Sequence, residues 1–167
     1  TAISQSTQLE QTIYFPEGWS MFSFFVEPNN KYLDSILAPL SDDIIIVKDY
    51  HGNVFLPNLN FNAIGQLENC EGYQIKMSND NSLTINGDIQ ILDDHPIELP
   101  LGWFIMGYLK INSTPFDVLL FEIEEAVIIV KDYNGNAYLP EWNYNAIGNA
   151  IPGQGYQIKT NSSAVLW

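Results

Sequence analysis

The residues best suited to chemistry gather around the dipeptide Asn134-Gly135: Lys131, Tyr133, Asn136, Tyr138, Trp142, Asn143 and Tyr144. Exposed Tyr and Trp rings stack on sugar faces while polar side chains bond hydroxyls, so this cluster is a candidate glycan site. The competing reading is that the same rings complete a small hydrophobic core, because a unit poor in helix must bury its aromatics somewhere. An earlier stretch carries Phe55, Leu59 and Phe61 at the matching places, so sugar recognition here favours the later one.

Other constellations fall short of chemistry. Asp132, Asn134 and Asn136 alternate like the start of a calcium loop, but Ala137 stands where that loop needs glycine and Asn143 where it needs a carboxylate. Hairpin chemistry explains them better. The pairs Glu124-Glu125 and Asp42-Asp43 have no positioned partner for acid-base work. No Gly-x-Ser-x-Gly elbow is present; His51 falls in a turn and His95 in a connector. The single cysteine, Cys70, excludes an intrachain disulfide and a zinc site with several thiolates. The expectation is a protein without catalytic residues, bound metal or cofactor.

These residues belong to a repeat. Val47-Lys48-Asp49-Tyr50, Gly52-Asn53, Leu56-Pro57, Asn62-Ala63-Ile64-Gly65 and Gly72-Tyr73-Gln74-Ile75-Lys76 recur 83 positions later, ending at Gly155-Tyr156-Gln157-Ile158-Lys159. Gly18-Trp19 and Gly102-Trp103 are 84 apart. Four of the six lysines are matched between copies, as Lys48/Lys131 and Lys76/Lys159, and so are Asn60/Asn143 and Asn62/Asn145. One reading of this retention is a Lys-Asn isopeptide crosslink; the other is that each lysine lays its stem over an aromatic neighbour.

The elements that must position these residues follow from punctuation. Strands are expected from Trp19 to about Val26 and from Trp103 to about Ile111, each entered through a Gly. A helix follows, with Tyr32, Leu33, Ile36, Leu37 and Leu40 on one face, and Phe116, Leu119, Leu120 and Ile123 in the second copy, capped by Thr114. The apolar runs 44–47 and 127–130 read as strands buried on both faces. His51-Gly52 and Asn134-Gly135 predict two-residue type I′ turns, which would set Lys131, Tyr133, Asn136 and Tyr138 on one face of the sheet. Tyr73, Ile75 and Met77 alternate with Gln74 and Lys76 in a later strand, and 82–85 forms a last one, ending at Asn86-Gly87-Asp88. The fold class is mainly β (α+β), two tandem copies of about five antiparallel strands plus one short helix. The divisions are a polar leader (1–12), unit one (13–88), an acidic connector (89–95) and unit two (96–167), which is truncated at its C-terminal end. So short a connector implies an interface between the copies or an intertwined single domain.

Composition narrows the partners. Twenty acidic residues against six lysines and no arginine give a net charge of −14, which disfavours nucleic acid and anionic lipid. No apolar run is long enough for a membrane span, no signal peptide is visible, and a chain starting at Thr1 reads as a piece of a longer protein.

The order Gly-Trp, Val-Lys-Asp-Tyr-x-Gly-Asn-x-Tyr-Leu-Pro-Glu-Trp, Asn-x-Ile-Gly and Gly-Gln-Gly-Tyr-Gln-Ile-Lys resembles a repeat module of large secreted or cell-surface proteins of marine Bacteroidota and of some marine phage structural proteins. The second copy carries the pattern from Gly102 to Lys159; the first departs from it at Leu59, Cys70 and Glu71. The resemblance implies an extracellular, cell-surface or virion-surface setting and tandem use, and it transfers no catalytic residue. The expected role is a non-enzymatic structural or adhesive module of a fibre, adhesin or cell-surface protein, with glycan binding at the second hairpin. Its partners would be neighbouring copies of the module, other surface proteins, or glycan. The alternatives are a carbohydrate-binding accessory module of a secreted carbohydrate-active enzyme and a phage virion fibre segment.

Overall fold

Alternating apolar and polar residues build nearly half of the chain into short antiparallel strands, and a computed structural model describes residues 8–167. The elements run β1 (Gln8–Phe15), β2 (Gly18–Phe22), β3 (Val26–Glu27), α1 (Leu33–Ile36), β4 (Ile44–Lys48), β5 (Val54–Leu56), β6 (Phe61–Asn62), β7 (Tyr73–Met77) and β8 (Asn81–Ile89). They continue with β9 (Ile97–Leu99), β10 (Gly102–Met106), β11 (Thr114–Pro115), α2 (Phe116–Leu119), β12 (Val127–Lys131), β13 (Ala137–Leu139), β14 (Tyr144–Asn145), β15 (Asn149–Ala150), β16 (Tyr156–Thr160) and β17 (Ala164–Leu166). The protein is mainly β, as its sequence predicts.

Two five-stranded sheets, β2-β7-β4-β5-β6 and β10-β16-β12-β13-β14, share one strand order and one register. Their inner faces carry matched rows, Ser20–Ile75–Val47–Phe55 in one and Phe104–Ile158–Val130–Tyr138 in the other. The apolar members of these rows, with Leu33 and Ile36 of α1 and Phe116 and Leu119 of α2, are buried in one contiguous core that runs through both copies. Tyr50 of the first copy meets Phe104 of the second edge to face, with ring centroids 4.7 Å apart.

The copies are joined by reciprocal backbone pairing. Gly72 N–H donates to Ile105 O at 2.8 Å and Gly155 N–H to Met21 O at 3.2 Å; Gly107 N–H donates to Cys70 O and Ser23 N–H to Gly153 O. Each contact has its counterpart with the copies exchanged, the signature of an approximate twofold. Here Gly72 and Gly155 touch: a Cβ on Gly72 would lie 3.0 Å from the Gly155 Cα and 2.9 Å from Met106 O. The pairing also closes the outer edge of β2 and β10 at their C-terminal ends, removing unpaired strand groups.

Several expectations are corrected. The hairpin loops hold three residues, not two: Val130 faces Tyr138, Lys131 faces Ala137, and Asp132 N–H donates to Asn136 O. Gly135 N–H closes a turn onto Asp132 O with Gly135 at φ +86°, a type I turn followed by a glycine bulge. That shift of one residue turns Tyr138 into the core while Lys131 stays on the outer face. The apolar run 44–47 is buried on one face only, because a bulge between Ile44 and Ile46 expels Ile45, as Ile128 is expelled in the second copy.

The first strand of each sheet stops at Phe22 or Met106, and α1 and α2 are single turns continued by 3-10 helix. Thr114 does not cap α2. Its hydroxyl accepts from the Tyr108 hydroxyl, and Pro115 occupies the cap position. Strand β8 runs through Gly87 to Ile89, because Gly87 fits against the Glu27 carbonyl where a Cβ would collide at 2.3 Å. Of the polar leader, residues 1–7 lie outside the described residues, whereas Gln8 onward forms β1, paired along β8.

Candidate functional site

The outer faces of the two sheets carry the same pattern. In the first, Trp19, Lys76 and Ile46 form one cross-strand row, and Met21, Gln74, Lys48 and Val54 the next. In the second, the rows are Trp103–Lys159–Ile129 and Ile105–Gln157–Lys131–Ala137. Two ammonium groups therefore reach each indole. Lys48 Nζ and Lys76 Nζ lie 5.4 and 5.8 Å from the Trp19 ring centroid, and Lys131 and Lys159 lie 5.5 and 5.6 Å from Trp103. Such contacts contribute about 0.5–1 kcal/mol each at exposed sites. The rings remain available, with Trp19 46% and Trp103 48% exposed.

Three separate sequence motifs thus converge at each site: Gly-Trp supplies the ring, Lys-Asp-Tyr one ammonium and Tyr-Gln-Ile-Lys the other. From sequence alone Trp19 and Trp103 read as the first residues of strands and not as site residues. Their retention beside two matched lysines in both copies was the available signal.

The residues assigned from sequence divide into three groups. Lys131 joins Trp103 and Lys159 on the outer face. Trp142, Asn143 and Tyr144 form an exposed rim where a 3-10 turn, Pro140–Trp142, ends at Asn143 in the left-handed region (φ +48°). Trp142 is 76% exposed there, and the matching rim of the first copy holds Leu59 and Phe61. The third group is used internally. Tyr138 packs on Phe116 in the core, and Asn136 donates through its backbone and side-chain amides to the two Asp132 carboxylate oxygens. Tyr133 lies half-buried in the hairpin loop.

The matched asparagines have structural employment. Asn62 and Asn145 each accept from the N–H, and donate to the carbonyl, of Gly65 and Gly148. Those carbonyls in turn receive the first N–H of α1 and α2. Asn-Ala-Ile-Gly is therefore a clamp on the helix start, and the four matched lysines lie over tryptophan rings.

A second feature lies between the copies, a cavity of about 700 Å³ walled by Tyr50, Cys70, Glu71, Glu98 and Phe104. Burial, aided by the Asp49 and Glu68 charges and opposed by His51, raises the Glu71 carboxyl to about 7. Burial likewise raises the Cys70 thiol to about 11, so it is protonated at neutral pH and a poor nucleophile. The twofold-equivalent positions of Cys70 and Glu71 are Gly153 and Gln154, so one copy alone has this acidic wall. Among the described residues no group of three or more His, Cys, Asp or Glu side chains is placed to hold a metal ion. Among the described residues no helix is long and apolar enough to cross a membrane. No protein-family model, curated protein or solved structure matches the chain.

Proposed function

We propose that this chain is a non-enzymatic tandem module of an extracellular fibre, adhesin or cell-surface protein, building and presenting a surface that adheres to glycan. The observation that carries the reading is the reciprocal glycine-to-glycine junction, which fuses the copies through backbone hydrogen bonds and a shared core. A junction of that kind holds two sheets in fixed relation, and a rigid body with exposed aromatic rings suits presentation better than turnover. Trp142 and Tyr144, on the rim of the second copy, are available for sugar stacking, as are Trp103 and Trp19.

A glycan array probed with the intact chain and with Trp142→Ala tests the assignment. Binding to at least one glycan class is expected, and Trp142→Ala leaves the fold intact because its ring is exposed. An array with no glycan bound at all removes the adhesive reading; binding unchanged in Trp142→Ala removes that rim from it.

A further inference from the structure

Resting on the adhesive reading, we infer that the two Lys–Trp–Lys faces together bind an anionic polysaccharide, through its carboxylate or sulfate groups. The chain has more than three acidic residues for each lysine, so random placement would pair lysines with carboxylates. Among the described residues, however, the ion pair within 4 Å is Lys31 with Glu27, and none of the four matched lysines has such a partner. Four ammonium groups without an ion-pair partner, in a protein of net charge −14, make these faces locally cationic and complementary to an anionic ligand.

The two faces also adjoin. A cavity of about 240 Å³ has Lys48 and Gln74 of the first copy on one wall and Trp103, Ile105 and Gln157 of the second on the other. Asp49 borders it too, but its carboxylate oxygens receive the backbone and side-chain amides of Asn53. The cavity thereby brings Lys48 of one Lys–Trp–Lys face and the Trp103 indole of the other to the same pair of glutamine side chains, Gln74 and Gln157. A linear polysaccharide meets all three chemistries along its length. Its ring faces lie against indole, its hydroxyls bond the Gln74 and Gln157 amides, and its anionic groups meet the ammonium groups. The lysines resting on the indoles hold those charges in place before binding, which lowers the ordering cost.

The test is affinity electrophoresis of the 167-residue chain through gels containing dextran sulfate, polygalacturonate or neutral dextran, with oligodeoxythymidylate as a solution competitor. Retardation by dextran sulfate or polygalacturonate, and not by dextran, is expected; which of the two retards more tells sulfate from carboxylate recognition. Replacing Lys48, Lys76, Lys131 and Lys159 together by Gln should weaken retardation about tenfold or more, since exposed ion pairs contribute up to about 1 kcal/mol each. The corresponding four-Arg variant should keep binding, and Lys110→Gln should not alter it. Urea midpoints separate loss of binding from loss of fold, and a fold lost in the Gln variant leaves the paired exchanges Lys48/Lys131→Gln to decide.

Retardation by neutral dextran alone, or undiminished retardation in a folded Gln variant, overturns the inference while sparing the adhesive reading. Preference for the oligonucleotide overturns it as well, as does self-association of the chain that the Gln exchanges abolish, which would make a second copy the occupant. Absence of binding to every glycan, neutral or charged, removes both.

Discussion

Glu71 ties the stability of the junction to pH. Its carboxyl sits half-buried between the copies, beside Tyr50 and Phe104, and titrates near 7 because burial favours the neutral form. A carboxyl whose folded value is raised contributes fully at pH below its unfolded value, near 4.5, and loses that contribution as pH rises through about 7. Glu71→Gln, which imitates the protonated form, should match the parent at pH 4.5 and exceed it at pH 8. The gap should be on the order of 1 kcal/mol once solvent screening is allowed for. Urea midpoints of both proteins across that range measure it; parallel curves would refute the burial argument. The second copy has Gln154 at this position, so the exchange also restores the symmetry of the junction.

At the scale of elements, the rims show how a short turn presents a ring. Pro57–Leu59 and Pro140–Trp142 are single 3-10 turns, each followed by an asparagine with positive φ that swings the chain into β6 or β14. The left-handed conformation costs about 1–2 kcal/mol for an ordinary residue, less for asparagine and nothing steric for glycine. Asn143→Ala should therefore destabilise by about 1 kcal/mol and Asn143→Gly should be nearly neutral. Thermal unfolding of the two variants tests this; equal losses would mean that the side chain, and not the backbone, explains Asn143. The same reasoning gives the retention of Asn60 and Asn143 in both copies a backbone cause that needs no crosslink.

Element boundaries were legible where one physical rule dominates. Strands β7 and β16 alternate strictly between core and outer face, and Leu33, Ile36, Leu37 and Leu40 are buried as read, whereas Tyr32, read onto the same face, is exposed. The hairpins were misread because Asn-Gly favours two different turns, and choosing between them depends on which register buries Tyr138 against Phe116. The apolar run 44–47 was misread because a bulge is invisible in composition: Ile45 is as hydrophobic as its neighbours yet faces out.

On the scale of the whole molecule, the junction determines cooperativity. Copies that share a core and exchange backbone hydrogen bonds should unfold together, so calorimetry should give one transition with matching calorimetric and van't Hoff enthalpies. Gly72→Ala places a methyl group 2.8 Å from the Ile105 side chain and 2.9 Å from Met106 O. Overpacking of that kind costs about 1–3 kcal/mol, and here it falls on the contact that couples the copies. The variant should melt earlier, and a broadened or split transition would report the uncoupling. An unchanged single transition would show that the side-chain core alone holds the copies together.

By itself the sequence determined that the chain is a duplication, that it is β-rich, that its charge is strongly acidic and that its matched lysines are few. Each of these is a property of residue type and spacing, which no fold is needed to read. Only the tertiary structure decided that Gly-Trp, Lys-Asp-Tyr and Tyr-Gln-Ile-Lys meet on one face, since strand order is set by long-range pairing. It also decided that the glycine preceding each Tyr-Gln-Ile-Lys belongs to the junction between copies: whether a glycine is needed depends on what backbone would meet a Cβ there, and those neighbours, Met106 and Gly155 for Gly72 and Phe22 and Gly72 for Gly155, all lie in the other copy.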